Sequence, residues 1–221
     1  MFSTKMLSFY RNLDTKIRLP KGISWIDPFS PEVLQISKAY HNKFYHDNKK
    51  RTFLMGINPG RFGAGVTGIP FTDPIQLESV MGLKNDLQKR HELSSIFIHE
   101  MIEEFGGVYK FSKEFYISSV CPLGFIKDGK NINYYDDRVL EKRVTPFIKK
   151  SLEDHIKIGA NTDKVISLGM GKNYKFLKAL NEKYNFFEEV IPLPHPRWIM
   201  QYRRKDKEMH IQSYLDVLNR I

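Results

Sequence analysis

The sequence predicts an α/β fold of three layers, with a short, mostly parallel four-stranded sheet between helices. Two observations carry this. Apolar runs of four to seven residues, of the kind that form buried strands, alternate along the chain with longer segments of helical periodicity. Each run also ends at a glycine or proline, and folds of this class hold ligands just beyond the carboxyl ends of their strands.

After a helical start, Pro31 to about His46 places Val33, Leu34, Ile36 and Phe44 among polar residues and opens with a proline, a helix pattern. Arg51 to Ile57 is the first strand and feeds a glycine-rich loop. Glu92 to Phe105 reads as a helix stopped by Gly106-Gly107, and Phe115 to Cys121 as the second strand, stopped by Pro122. Asp136 to Ile158 is helical, with an interruption expected at Pro146. Asp163 to Leu168 forms the third strand, Lys172 to Tyr184 a helix, Val190 to Leu193 the fourth strand, and about Asp206 to Leu218 a closing helix. No Ser/Gly/Pro-rich linker divides the 221 residues, so one domain is expected, with residues 1–50 a helical segment packed on it.

Thirty-five Lys and Arg against 25 Asp and Glu give a formal net charge of +10, which attracts polyanions and ranks nucleic acid first among partners. Solvated, lysine-rich helix faces would account for the charge equally well. The single cysteine, Cys121, excludes an internal disulfide, an iron-sulfur cluster and a Cys-based zinc site. His91-Glu92 and His99-Glu100 each lack the second His of the zinc-protease spacing. Met1 to Tyr10 lacks an apolar core of signal-peptide type, and no segment suits a bilayer span. The expectation is a cytoplasmic protein with no metal or organic cofactor and no membrane partner.

Gly56 to Phe71 is the most informative stretch, because its glycines and prolines can build neither a helix nor a paired strand. Within it, Gly63-Ala64-Gly65-Val66-Thr67-Gly68 matches the dinucleotide fingerprint letter for letter, but Asn58-Pro59 separates it from the strand and Pro70 follows at once. Gly169-Met170-Gly171-Lys172 lacks the first Gly and the Ser/Thr of a P-loop and reads as a strand-to-helix turn whose amides can touch a DNA phosphate. Taken singly, Asn58-Pro59 also suits a plain turn, Phe71 a core position, and His195 an ordinary loop.

Read in order, Ile57-Asn58-Pro59-Gly60, Thr67-Gly68-Ile69-Pro70-Phe71, Cys121-Pro122-Leu123 and His195-Pro196-Arg197 resemble the uracil-DNA glycosylase superfamily. The resemblance is closest to its single-strand-selective monofunctional branch, in the bacterial second subgroup. It implies that Asn58 positions the attacking water and that His195 donates to uracil O2 as charge develops on the leaving base. Phe71 would stack on the flipped base, with the Ile57 to Gly60 backbone along its edge. Arg197 to Lys205 falls where the family places the loop that enters the duplex, and Trp198, Ile199 and Met200 among Arg197, Arg203, Arg204 and Lys205 suit a wedge flanked by phosphate contacts.

The implied activity is that of a monofunctional DNA glycosylase, acting as a monomer on DNA in base excision repair. It would hydrolyse the N-glycosidic bond of uracil and of related deaminated or C5-modified bases, leaving an abasic site. No lysine is placed by the motifs as a Schiff-base nucleophile, so strand cleavage is not expected. An Asn suffices where a base departs as an anion, because support of the leaving group then matters more than a strong base. Three positions depart from relatives: Gly60 stands where uracil-only members carry a bulky Tyr, Ser119 where single-strand-selective members carry Asn, and His195-Pro196 runs straight into Arg197 without an intervening Ser-Pro. The first implies room beside the pyrimidine C5 edge and the second looser base discrimination, extending to xanthine or hypoxanthine. Two alternatives stay open: a DNA-binding module of the same fold with altered catalysis, and a nucleotide-binding enzyme using the glycine loop for phosphate. Pro59 and Pro70 weigh against the latter, since each removes an amide that such a cradle would use.

Overall fold

Apolar alternation sets the sequence of elements in the computed structural model, which describes residues 1–26 and 30–221. Helix α1 (Phe2–Arg11) and strand β1 (Ile23–Ile26) precede α2 (Pro31–Phe44), whose N-cap Ser30 accepts the Val33 N–H while Pro31 occupies the first turn. Strand β2 (Arg51–Gly56) is buried along its whole length. Four helices, α3 (Ala64–Thr67), α4 (Pro74–Ser79), α5 (Leu93–Glu104) and α6 (Val108–Glu114), lead to β3 (Phe115–Ser119). A hairpin of β4 (Gly124–Lys127) and β5 (Lys130–Ile132) is followed by α7 (Arg138–Ile158), β6 (Ala160–Leu168), α8 (Lys172–Tyr184) and β7 (Glu189–Leu193). Helix α9 (Pro196–Tyr202), a 3₁₀ turn at Arg204–Asp206 and α10 (Lys207–Leu218) complete the chain.

The four expected strands form one parallel sheet in the order β3-β2-β6-β7. The chain runs outward from β2 to β3, then returns to place β6 on the other side of β2, so the strand order reverses between β2 and β6. That crevice is where open α/β sheets bind ligands. The residues following β2, β3 and β7 converge there. No helix among the described residues is long and apolar enough to cross a membrane.

Two expectations need correction. Helix α7 is continuous through Pro146. The proline faces solvent, so water can take the hydrogen bond it denies, while Leu140, Val144, Phe147, Ile148 and Leu152 bury one continuous stripe on either side of it. Burying that stripe outweighs the roughly 3 kcal/mol that an interior proline costs a helix. The second correction is an addition: β1, β4 and β5 form an antiparallel sheet that periodicity did not suggest. Its hairpin turns at Asp128-Gly129, both at positive φ (50° and 69°), the geometry for which an Asp-Gly pair is suited. This small sheet lies directly on the glycine loop, since a Cβ at Gly124 would stand 2.3 Å from the Pro59 carbonyl oxygen.

The opposite end of β2 is pinned by a fully buried cation. Arg51 donates to the Ser112 carbonyl at 2.6 Å and pairs with Asp47 at 2.8 Å, and its guanidinium lies 4.7 and 4.9 Å from the rings of Phe2 and Tyr45. Three histidines are buried in the core: His41 beside Tyr116, His155 beside Ser118 and His99 beside Thr72. Burial pushes His41 and His99 down to about 4 and His155 to about 3 from an ordinary 6.5. All three are neutral when folded but accept protons below pH 6.5 when unfolded, so the unfolded state binds more protons and stability falls with falling pH. Each unit of depression is worth about 1.4 kcal/mol. The melting temperature is therefore expected to decline steadily between pH 6.5 and about 4. A flat melting temperature from pH 7 to 4.5 would show that these imidazoles take protons without unfolding the chain.

Candidate active site

Strand β2 ends in Gly56 because a ring occupies the space a side chain would fill: a Cβ there would lie 2.7 Å from Phe71 Cε2. Phe71 itself sits at φ +54°, a left-handed conformation unusual for an aromatic residue and the kind of local strain that accumulates at binding sites. The turn before it is held by Thr67, whose hydroxyl donates to the Thr72 carbonyl at 2.7 Å and accepts the Ile69 N–H at 3.2 Å. Phe71 is thereby presented with its ring centroid 5.7 Å from that of His195. The fingerprint-like Gly63 to Gly68 makes only one helical turn, closed by Gly68 at φ +70°. It does not open the long helix that a dinucleotide site requires.

Asn58 follows β2 and is oriented by the hairpin sheet. Its Oδ1 accepts the Tyr134 N–H at 3.0 Å, and its Nδ2 makes long contacts to the carbonyls of Ile132 (3.3 Å) and Pro59 (3.4 Å). The Tyr134 hydroxyl donates to Asn173 Oδ1 at 2.9 Å, and Asn173 Nδ2 reaches the Met55 and Gly56 carbonyls at 3.5 Å, so the support of Asn58 is tied back to its own strand. This leaves the amide protons of Asn58 loosely engaged and one lone pair of Oδ1 free to orient a small polar molecule.

His195 is the N-cap of α9, with Pro196 in the first helical turn. Its Nδ1 accepts the Arg197 N–H at 3.1 Å, which places the ring proton on Nε2. Burial, reinforced by the neighbouring Arg197 charge, holds the imidazole down at about 4, so it enters the site as a neutral Nε2–H donor. The shortened His-Pro segment still brings it to the cleft, packed against Gly169 with its Cδ2 3.9 Å from where a Cβ would stand.

Ile57, Asn58, Gly60, Phe71, Ser119, His195, Arg197 and Trp198 all line one cleft of about 500 Å³. Ser119, at the end of β3, is buried and its hydroxyl has no hydrogen-bond partner among the described residues. The Ile57 carbonyl is taken by the Cys121 N–H at 3.0 Å. A Cβ on Gly60 would meet only Asn131 Nδ2, at 3.2 Å.

The segment from Arg197 to Lys205 is not the expected loop but helix α9 and a 3₁₀ turn. Its apolar residues divide by face: Trp198 and Tyr202 are 43% and 68% exposed, whereas Ile199 and Met200 are 0% and 4% exposed. Ile199 is therefore an anchor in the core and cannot touch DNA. Arg203 lies over Trp198, 5.7 Å from its ring, and Arg204 and Lys205 are exposed.

Other cleft residues carry no sequence motif. Asn131 and Asn133 arrive on the β4–β5 hairpin, whose only local signal is Asp128-Gly129. Glu92 is brought in by buried Asp73, which caps α4 and accepts the Glu92 N–H at 2.9 Å. Its carboxylate lies on Gly63, where a Cβ would stand 2.0 Å from Oε2, and burial raises its pKa against a hydrogen bond from Ser94 and the charge of Arg197. Among the described residues no three His, Cys, Asp or Glu side chains converge as metal ligands would.

Comparison with known proteins accords with this geometry. Residues 43–219 match the Uracil DNA glycosylase superfamily. Among solved structures, a crystal structure of wild-type SMUG2 from Pedobacter heparinus superposes with a TM-score of 0.95 at 43% identity, covering 99% of this chain and 97% of that one. No curated protein matches. A neutral His, an oriented Asn and a Phe ring beside them at the mouth of a four-stranded parallel sheet, together with these matches, lead to one conclusion: the chain belongs to the uracil DNA glycosylase superfamily, in its single-strand-selective branch, and is a DNA glycosylase.

Proposed function

We propose that this enzyme removes uracil and related deaminated or C5-modified bases from DNA, leaving an abasic site as the first product of base excision repair. The observation that carries the reading is the meeting, in one cleft, of the Phe71 ring, the His195 Nε2–H donor and the carboxamide of Asn58.

The glycosidic bond is hidden in a duplex, so the nucleotide must first leave the stack. Stacking on Phe71 restores about 1–3 kcal/mol of what is lost. As the bond lengthens, negative charge grows on the pyrimidine carbonyl and positive charge on the sugar. The neutral His195 donates its Nε2–H to that carbonyl without transferring the proton, and a preorganised donor of this kind costs no reorganisation at the moment of reaction. Asn58 orients the water whose oxygen bonds to the anomeric carbon of the sugar cation; the proton that water sheds goes to the departed base anion or to solvent, since a carboxamide cannot accept it. Tyr134 and Asn173 act as positioning residues behind it.

Gly60 supports acceptance of C5-substituted uracils, since the space beside it holds only the Asn131 amide. Gly60→Tyr is expected to lower excision of 5-hydroxymethyluracil at least tenfold while changing uracil excision less than about threefold, the scale on which packing discriminates a small substituent. Equal rates for the native enzyme and the variant on 5-hydroxymethyluracil would remove Gly60 from specificity. Ser119 supports a broader range, because a hydroxyl without a protein partner can donate or accept and so serve more than one base edge. Single-turnover excision on oligonucleotides carrying uracil, 5-hydroxymethyluracil, xanthine or hypoxanthine tests the range. Excision of uracil-type bases alone would restrict the activity to pyrimidines.

A further inference from the structure

We propose that Arg61, Phe62 and Arg90 form a preorganised phosphate clamp at the rim of the cleft, gripping the backbone of the DNA strand whose base enters it. The inference rests on the glycosylase reading and adds a second cationic group to the cleft that Arg197 of α9 lines. The guanidinium carbon of Arg61 lies 4.6 Å from the centroid of the Phe62 ring, and that of Arg90 lies 3.9 Å from the same centroid. The two arginines are 29 positions apart in sequence and meet only through this ring. Two like charges gathered on one aromatic platform repel each other, and a shared anion relieves that repulsion.

Among the described residues no carboxylate supplies such an anion. Among the described residues neither arginine forms an ion pair, whereas buried Arg51 is paired with Asp47. Arg61 is further fixed by a hydrogen bond from Nη1 to the Gly129 carbonyl, so the hairpin that supports Asn58 also aims this guanidinium. Both arginines are exposed, Phe62 is half-buried, and Phe62 and Arg90 line the same cleft as Asn58 and His195. A planar fork held by stacking suits bidentate capture of a phosphodiester better than a flexible ammonium would. The chemistry that fits is a phosphate of the strand carrying the extruded nucleotide.

The test compares native protein with Arg61→Ala/Arg90→Ala, Phe62→Leu and, as a control at the far end of the sheet, Lys5→Ala on α1. Binding to undamaged labelled duplex is followed by anisotropy across a salt series, and uracil excision in single turnover across protein concentrations. The double variant is expected to lose at least tenfold in affinity and to flatten the slope of log K against log salt by about 0.9, the contribution of the one phosphate the two arginines share. Its excision rate at saturating protein should stay within about threefold of native, since the contact positions the strand and does not touch the reacting atoms. Phe62→Leu keeps both charges and should weaken binding less, with the salt slope retained. A double variant with native slope and affinity, or one no worse than Lys5→Ala, would overturn the clamp while native excision stands. Absence of excision by the native protein on every base would overturn the glycosylase reading and the clamp with it.

Discussion

Asn58→Ala is expected to lower single-turnover excision by about 10²- to 10³-fold, the range seen when one preorganised polar group is removed from a transition state. DNA binding should be retained, because Asn58 contributes no charge and lies inside the cleft. The effect is large because the carboxamide is fixed before substrate arrives: the Tyr134 N–H holds Oδ1 at 3.0 Å, and Asn173 ties Tyr134 to the end of β2. Alanine leaves the Tyr134 N–H without its acceptor and leaves the water without orientation. Labelled oligonucleotides carrying each candidate base, treated with alkali and resolved on a gel, give both rate and substrate order. Undiminished cleavage by the variant would mean that another group directs the water, and Glu92 would be the first to examine.

His195→Ala is expected to cost about 10²-fold, with two separable origins. One is the lost Nε2–H donor to the departing base. The other is the lost N-cap, since Nδ1 accepts the Arg197 N–H and capping is worth about 1 kcal/mol. His195→Asn separates them, because Asn is a good N-cap but too short to reach the base. That variant should recover melting temperature and DNA affinity while excision stays low. Recovery of excision with the cap would instead assign His195 a purely structural part. With the imidazole held near 4, the native rate should be flat in His195 ionisation from about pH 5.5 to 8. Below that window, protonation turns Nδ1 from an acceptor into a donor facing the Arg197 N–H, which removes the cap hydrogen bond.

Local chemistry made the parallel sheet readable, because each strand is a short apolar run closed by glycine or proline. Asn58, Phe71 and His195 were legible through the ordered motifs of the family resemblance, since each alone suits a turn, the core or an ordinary loop; Asn58 and His195 adjoin the ends of β2 and β7, and Phe71 is brought back to Gly56 by the turn between α3 and α4. Where long-range packing decides, the sequence was silent or misleading. Pro146 reads as a break, yet its position on the solvent face of a long buried stripe lets α7 continue. The run from Arg197 to Lys205 was expected as a loop because the resemblance places one there, and only the inward face of α9 reveals that Ile199 and Met200 are anchors. Asn131, Asn133 and Glu92 reach the cleft through a three-residue strand and through the buried carboxylate of Asp73, neither of which has a periodicity to read.

The anchoring of α9 bears on which partner yields when DNA binds. Ile199 and Met200 are sunk in the core, α9 packs against α5 and α10, and the Tyr214 hydroxyl donates to the Pro194 carbonyl just before His195. Were the exposed Trp198 to enter the duplex, as the family resemblance implies, so stiff a mounting would leave the distortion to the nucleic acid. The energy needed to unpair and unstack the target then belongs to the substrate, and is smallest for mismatched or single-stranded positions. On that reading, lesion choice would follow local DNA softness as much as the base itself.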